Sequence, residues 1–271
     1  SGDRIAAWLP NVPETYAVML AAASLGAVFS STSPDFGVGG VVDRFGQIKP
    51  VVLFATDCYH YAGKRIDVTA RLVEVTERLP TVRRVVLVPE ADNGTVRGPI
   101  PKQAVTLDEF LADQPVGQPE FVPLPFDHPL YILYSSGTTG KPKCIVHGQG
   151  GVLLQHLKEH RFHCDLRADE RLFYFTTTGW MMWNWLATGL ASGATLMLYE
   201  GNPFHPGPEA LWDSVQREGV NLFGTSAKYL DACAKAGLRP AETHDLSPVR
   251  AILSTGSPLM PESFDWVHDA V

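Results

Sequence analysis

The residues best suited to chemistry lie in one short run, Tyr134-Ser-Ser-Gly-Thr-Thr-Gly-Lys-Pro-Lys143. Gly137 and Gly140 allow backbone turns that aim several N–H groups at one point, and a concave nest of amides binds phosphate oxygens. Ser135, Ser136, Thr138 and Thr139 add hydroxyl donors, and Lys141 and Lys143 add positive charge. A hydroxyl-rich surface turn has the same composition. The apolar run Leu130–Leu133 directly before it instead places the loop at the end of a buried strand. Two better-known phosphate motifs fail. A Walker A loop needs Gly, four residues, then Gly-Lys-Ser/Thr, but Ser135 stands five before Gly140 and Pro142 follows Lys141. A dinucleotide fingerprint fails at Leu153 after Gly148 and Gly150, and at Val42 after Gly37 and Gly39.

Other runs compete for attention. In Ser254-Thr-Gly-Ser-Pro-Leu259, Gly256 would let the backbone approach a flat base, with Ser257 and Pro258 beside it. Ser257-Pro258 is equally suited to open a helix. Trp180-Met-Met-Trp-Asn-Trp185 collects three of the six tryptophans. Large, polarisable side chains can shape a small apolar pocket or fill a core; Trp183 and Trp185 are read as core. His156-Leu-Lys-Glu-His160 has the spacing of a metal-binding helix, with His163 and Cys164 beyond. It lacks an identifiable further carboxylate ligand, so no metal site is assigned, and both histidines are expected half-exposed on a helix. His147 is left without a role.

Positioning such loops requires strand ends. Apolar runs at Val51–Ala55, Arg84–Pro89, Leu130–Ser135, Leu172–Thr176, Ala194–Tyr199, Val220–Phe223 and Arg250–Leu253 are continuous rather than alternating, as in strands buried on both faces. Helical patterns fall between them at Glu14–Leu25, Val38–Ile48, Lys64–Leu79, Val152–Phe162, Pro208–Glu218, Ala227–Ala236 and Pro261–Val271. The class implied is α/β, with largely parallel sheets and helices on both faces. From Pro80 to Pro129 there are nine prolines in 50 residues. This reads as a connection closing a first half, residues 1–129, before a second, residues 130–271, that carries both loops.

Composition narrows the function. The chain has 271 residues, and 22 Lys and Arg against 29 Asp and Glu leave a formal charge of −7, which argues against a nucleic-acid surface. The longest apolar stretch, Ala17–Phe29, is 13 residues long and too short to span a bilayer. Four cysteines show no metal-finger or CxxC spacing, as in a reducing, cytoplasmic setting.

Tyr134–Lys143 resembles the phosphate loop of the adenylate-forming enzymes, which include acyl-CoA synthetases, luciferases and peptide-synthetase adenylation domains. Gly2–Trp8 and Pro13–Ala27 are similar to that family's early strand–helix unit. Gly179–Trp185 looks most like its acetoacetate-activating branch. The resemblance implies an acid–CoA ligase that uses ATP, Mg2+ and coenzyme A and passes through an acyl-adenylate, with small molecules as partners. It further implies that Ser135–Lys143 hold the β- and γ-phosphates and that Gly256, Ser257 and Pro258 lie at the adenine. Trp180, Met181 and Met182 would border the acyl group. Lys64 would face the nucleotide end of coenzyme A, though it matches an arginine of the family only in place, and a solvated helix start is the competing role. Thr225–Lys228 follows the same path loosely. No adenylation lysine, magnesium-binding Thr-Glu pair or ribose Asp is found before Val271. The expectation is therefore an internal piece of the large N-terminal domain that cannot complete the reaction alone. A non-catalytic nucleotide-binding or interaction module of the same fold is the alternative.

Overall fold

The computed structural model describes residues 2–90, 96–135 and 140–271. Strands are β1 (Arg4–Trp8), β2 (Val28–Thr32), β3 (Val52–Ala55), β4 (Cys58–Tyr61), β5 (Lys64–Asp67), β6 (Arg84–Leu87), β7 (Ala104–Thr106), β8 (Pro129–Tyr134), β9 (Cys144–Gly148), β10 (Arg171–Tyr174), β11 (Thr195–Met197), β12 (Leu222–Ser226) and β13 (Ala251–Thr255). Helices are α1 (Pro13–Ser24), α2 (Val38–Ile48), α3 (Thr69–Glu77), α4 (Leu107–Leu111), α5 (Gln149–Lys158), α6 (Met181–Thr188), α7 (Ala210–Glu218), α8 (Ala227–Lys235), α9 (Pro240–Thr243) and α10 (Pro261–Ala270). Among the described residues the strands form a seven-stranded sheet, β7-β6-β3-β1-β2-β8-β9, a four-stranded sheet, β11-β10-β12-β13, and the pair β4-β5. The mixed α/β class and the mostly parallel pairing agree with the apolar runs; β9 is antiparallel to β8.

The physical reason for continuous apolar runs is visible in the four-stranded sheet. Phe173 and Phe223 are parallel-register neighbours whose rings stack 5.5 Å apart in one core, with Trp212 and Leu230. Leu172, Tyr174 and Leu222, one residue away along the same strands, point into another core with Trp185 and Leu186. Both faces are covered, so every position must be apolar. The larger sheet is equally dry: Ala6, Ala7 and Trp8 are fully buried, and Trp8, Phe45, Leu53, Leu72 and Val85 share one core.

Two compact units divide the chain. The first comprises Ser1–His60, Arg65–Leu153 and Thr177–Met181; the second comprises Tyr61–Lys64, Leu154–Thr176 and Met182–Val271. Their segments alternate along the chain, and β8 and β9, within residues 129–148, pair into the first sheet.

Several expected elements change character. Lys64–Leu79 is not one helix. Lys64–Asp67 is a strand that turns back at Ala62 and Gly63, both with positive φ (49° and 74°), and α3 starts only at Thr69. Val152–Phe162 is α5 to Lys158, followed by a π-helical turn, Glu159–His163. The proline-rich stretch contains β6, β7 and α4. That short helix is held by a capping box in which Thr106 Oγ1 accepts from the Glu109 N–H and Glu109 accepts from the Thr106 N–H.

Candidate phosphate-binding site

The loop 135–143 joins two antiparallel strands whose last registered pair is Tyr134 and Cys144. Its two ends are tied together. The Ser135 N–H donates to the Lys143 carbonyl at 3.0 Å, and the Lys143 N–H donates to Ser135 Oγ at 3.3 Å. Ser136, Gly137, Thr138 and Thr139 lie outside the described residues. Gly140 has φ +101°, a conformation that L side chains rarely adopt, which accounts for glycine there. Lys143 is exposed. Lys141 is also exposed, with its Nζ 3.5 Å from Asp43 Oδ1.

Helix α2 supports this loop. Gln47 Nε2 donates to the Pro142 carbonyl at 2.8 Å and to the Asp43 carbonyl at 2.6 Å. The Arg44 guanidinium lies 4.4 Å from the Phe36 ring centroid and 5.7 Å from that of Tyr134. Tyr134 Oη is 2.9 Å from Ser30 Oγ, and burial pushes its phenol up, so it stays neutral. His147, which had no role from sequence, packs its ring 5.3 Å from that of Tyr131, and burial lowers its pKa.

In the second unit, Ser254–Leu259 follows β13. Gly256 has φ +91° and open space where a Cβ would sit. Helix α10 begins at Pro261 with Met260 as its cap, so Ser257-Pro258 precedes the helix and does not open it. Thr225 and Ser254 are registered neighbours on β12 and β13, and each has a buried hydroxyl without a partner among the described residues. Ser226 caps α8 by accepting from the Tyr229 N–H at 3.2 Å, and Lys228 is exposed. Lys64 is exposed at the start of a strand rather than of a helix.

The tryptophan run separates by environment. Thr178 Oγ1 donates to the Leu9 carbonyl at 2.8 Å, and its own carbonyl accepts from Ser31 Oγ at 2.7 Å. Beyond this anchor, Trp180 and Met181 are 60% and 50% exposed. Met182 packs against the core that holds Trp185, and Trp183 and Trp185 are buried. Asn184, between them, is buried with neither amide atom paired, a costly arrangement that composition alone did not flag.

The histidines expected half-exposed are buried. His156 Nδ1 lies 2.9 Å from Thr188 Oγ1, and His160, fully buried, has Nε2 3.0 Å from the Trp185 carbonyl. Both partners lie on α6, so the same helix covers His156 and His160.

A family model described as AMP-binding enzyme matches residues 1–271. The chain belongs to the AMP-binding enzyme family. Among AMP-binding enzymes it is 58% identical to an acetoacetyl-coenzyme A synthetase of Rhizobium meliloti (strain 1021), over 100% of this chain and 41% of that protein. It is 48% identical to the acetoacetyl-CoA synthetase of Gallus gallus, over 98% of this chain and 41% of that one. The solved acetoacetyl-CoA synthetase from Streptomyces lividans superposes with a TM-score of 0.92 at 45% identity, covering 99% of this chain and 41% of that one. The chain thus spans 41% of the length of these AMP-binding relatives.

Proposed function

We propose that this chain is the nucleotide-binding part of an ATP-dependent acid–CoA ligase whose acid is acetoacetate. A carboxylate is a poor acyl donor because oxide cannot leave. In the first step a carboxylate oxygen attacks the α-phosphorus of ATP, and the bond to pyrophosphate breaks. In the second, the sulfur of coenzyme A attacks the activated carbonyl, AMP leaves, and the thiol proton passes to solvent or a base. The protein's share of the first step is to position the acid and to spread charge from the departing phosphates.

The observation that supports the reading is the tie between Ser135 and Lys143, which closes the segment between β8 and β9 at its base with Lys141 and Lys143 exposed beside it. Lys141, Lys143 and the Ser135 hydroxyl are assigned to the β- and γ-phosphates, together with Ser136, Gly137, Thr138, Thr139 and Gly140. Gly256, Ser257 and Pro258 are assigned to the adenine. Trp180 and Met181 are assigned to the acyl group, with Met182 supporting them from the core. Lys64 remains the candidate cation for the nucleotide end of coenzyme A. Mg2+ is assigned as part of the MgATP substrate, since it is usually bound through substrate phosphates and few protein carboxylates. All four cysteines are free, in keeping with a cytoplasmic setting, and no helix among the described residues is long and apolar enough to cross a membrane.

Acid-dependent exchange of labelled pyrophosphate into ATP, measured on the polypeptide as it occurs in the cell, tests this. Exchange with acetoacetate well above that with butyrate or acetate is expected. Nucleotide binding without exchange for any acid would replace it with a non-catalytic nucleotide-binding or interaction module.

A further inference from the structure

The two lysines of the loop are not equivalent. Lys143 projects from the loop's base, whereas Lys141 is already engaged, its ammonium 3.5 Å from Asp43 on α2. A second contact from the same helix face holds the next residue, Gln47 Nε2 donating to the Pro142 carbonyl. Residues 43 and 47 are one helical turn apart, so α2 presents a carboxylate and an amide side by side to the loop's exit.

These two contacts respond differently to an arriving anion. The Gln47 bond is between neutral groups and is indifferent to added negative charge. The Asp43 pair is not, because a polyphosphate and a carboxylate compete for one ammonium and repel each other. The pair is also poorly shielded, with side chains 41% and 73% exposed for Asp43 and Lys141. An ion pair that open to water is weak and readily exchanged.

We propose that Asp43 is a positioning residue that holds Lys141 until a nucleotide polyphosphate displaces it, while Gln47 keeps the loop's exit fixed during the exchange. The proposal rests on the reading of residues 135–143 as the phosphate loop. Asp43 sets a threshold: Lys141 is held near where it will be needed, and only a ligand bearing several negative charges outcompetes the carboxylate. No covalent step is involved; one ammonium exchanges one set of oxygens for another.

The experiment uses the polypeptide as it occurs in the cell, labelled briefly with an amine-acylating reagent. The extent at Lys141 is compared by mass spectrometry with that at Lys102, an exposed lysine outside the loop, as internal reference. Without nucleotide, Asp43→Asn is expected to raise the Lys141-to-Lys102 ratio by about two- to fivefold, the scale of an exposed ion pair. MgATP should then protect Lys141 in Asp43→Asn at a concentration lower by a similar factor than in the wild type. In a Lys141→Gln background, Asp43→Asn should leave MgATP affinity unchanged by calorimetry.

An unchanged labelling ratio in Asp43→Asn would overturn the proposal. So would an affinity gain that persists in the Lys141→Gln background, since Asp43 would then act only through its field. Raised labelling in Asp43→Asn with no MgATP binding to any variant would instead strike the phosphate-loop reading, and the exchange with it, leaving the ion pair as a purely structural contact.

Discussion

Arg250 grips Glu170 with two arms of its guanidinium, Nε 2.5 Å from Oε1 and Nη2 2.7 Å from Oε2, across 80 residues of chain. The fork ties the residue before β13 to the turn before β10, so it fixes the strand that leads into the Ser254–Leu259 loop. Hydrogen bonding to Arg250 holds the Glu170 carboxyl below its ordinary range, against the opposing effect of burial. A carboxylate with a lowered folded pKa stabilises fully above its unfolded value of about 4.3 and loses that contribution as pH falls through the folded value. Glu170→Gln should therefore cost about 2 kcal/mol in urea unfolding at pH 7. The gap to wild type should close as pH drops below about 4. A gap that stays constant down to pH 3 would contradict the assignment.

His160 makes a second, separate pH signature. Burial lowers its pKa, and the hydrogen bond to the Trp185 carbonyl opposes this only in part. With the folded pKa lowered, the stabilisation is full above the ordinary imidazole value of about 6.5 and is lost as pH falls from there through the folded value. Unfolding free energies between pH 7 and 5 should fall more steeply for wild type than for His160→Phe, even though the variant starts lower. Parallel slopes would refute it.

Gly224 is a steric prediction. A Cβ there would stand 2.1 Å from Tyr174 Cδ2, and that ring cannot swing away while its hydroxyl donates to the Thr225 carbonyl at 3.0 Å and its face meets Trp185. Gly224→Ala should destabilise by about 3 kcal/mol, at the upper end for overpacking. Adding Tyr174→Ala should recover part of the loss from the clash, which a double-mutant cycle by denaturant unfolding would reveal as strong coupling.

Trp180 and Met181 separate function from stability. Both are exposed, so replacing either by Ala should change unfolding free energy by less than about 0.5 kcal/mol. Each should raise KM for the acid several-fold while leaving KM for ATP in place. Met182→Ala should do the reverse, lowering stability by about 1–2 kcal/mol through its core contacts. An acid KM unmoved by Trp180→Ala and Met181→Ala would remove both from the pocket.

Strands buried on both faces are legible where the apolar run is unbroken, as at Leu172–Tyr174 and Arg84–Leu87; β2, buried throughout, is not, because Ser30, Ser31 and Thr32 interrupt its run. β9 is not read because its apolar run, Cys144–Val146, is only three residues long before His147 and Gly148. β5 was read as helix because its turn places an alanine, Ala62, at positive φ, where Asn or Asp would have announced a hairpin. That strands β8 and β13 run into glycine-bearing segments was legible from glycine and hydroxyl spacing. The support from Asp43 and Gln47 was not, since two polar residues on a helix carry no sign of what lies 95 residues later. The histidine pair reads as half-exposed for a related reason: its spacing carries no sign of Thr188 and the Trp185 carbonyl, which cover it.

The anchor at Thr178 is a late addition to the first unit as the chain is made. Its bonds to Leu9 and Ser31 span 169 and 147 residues, and both belong to the first unit. In synthesis the strands of that unit's sheet are all made by Gly148, so these two bonds are added later, and a nascent chain that ends before Thr177 leaves the Leu9 carbonyl and the Ser31 hydroxyl without them.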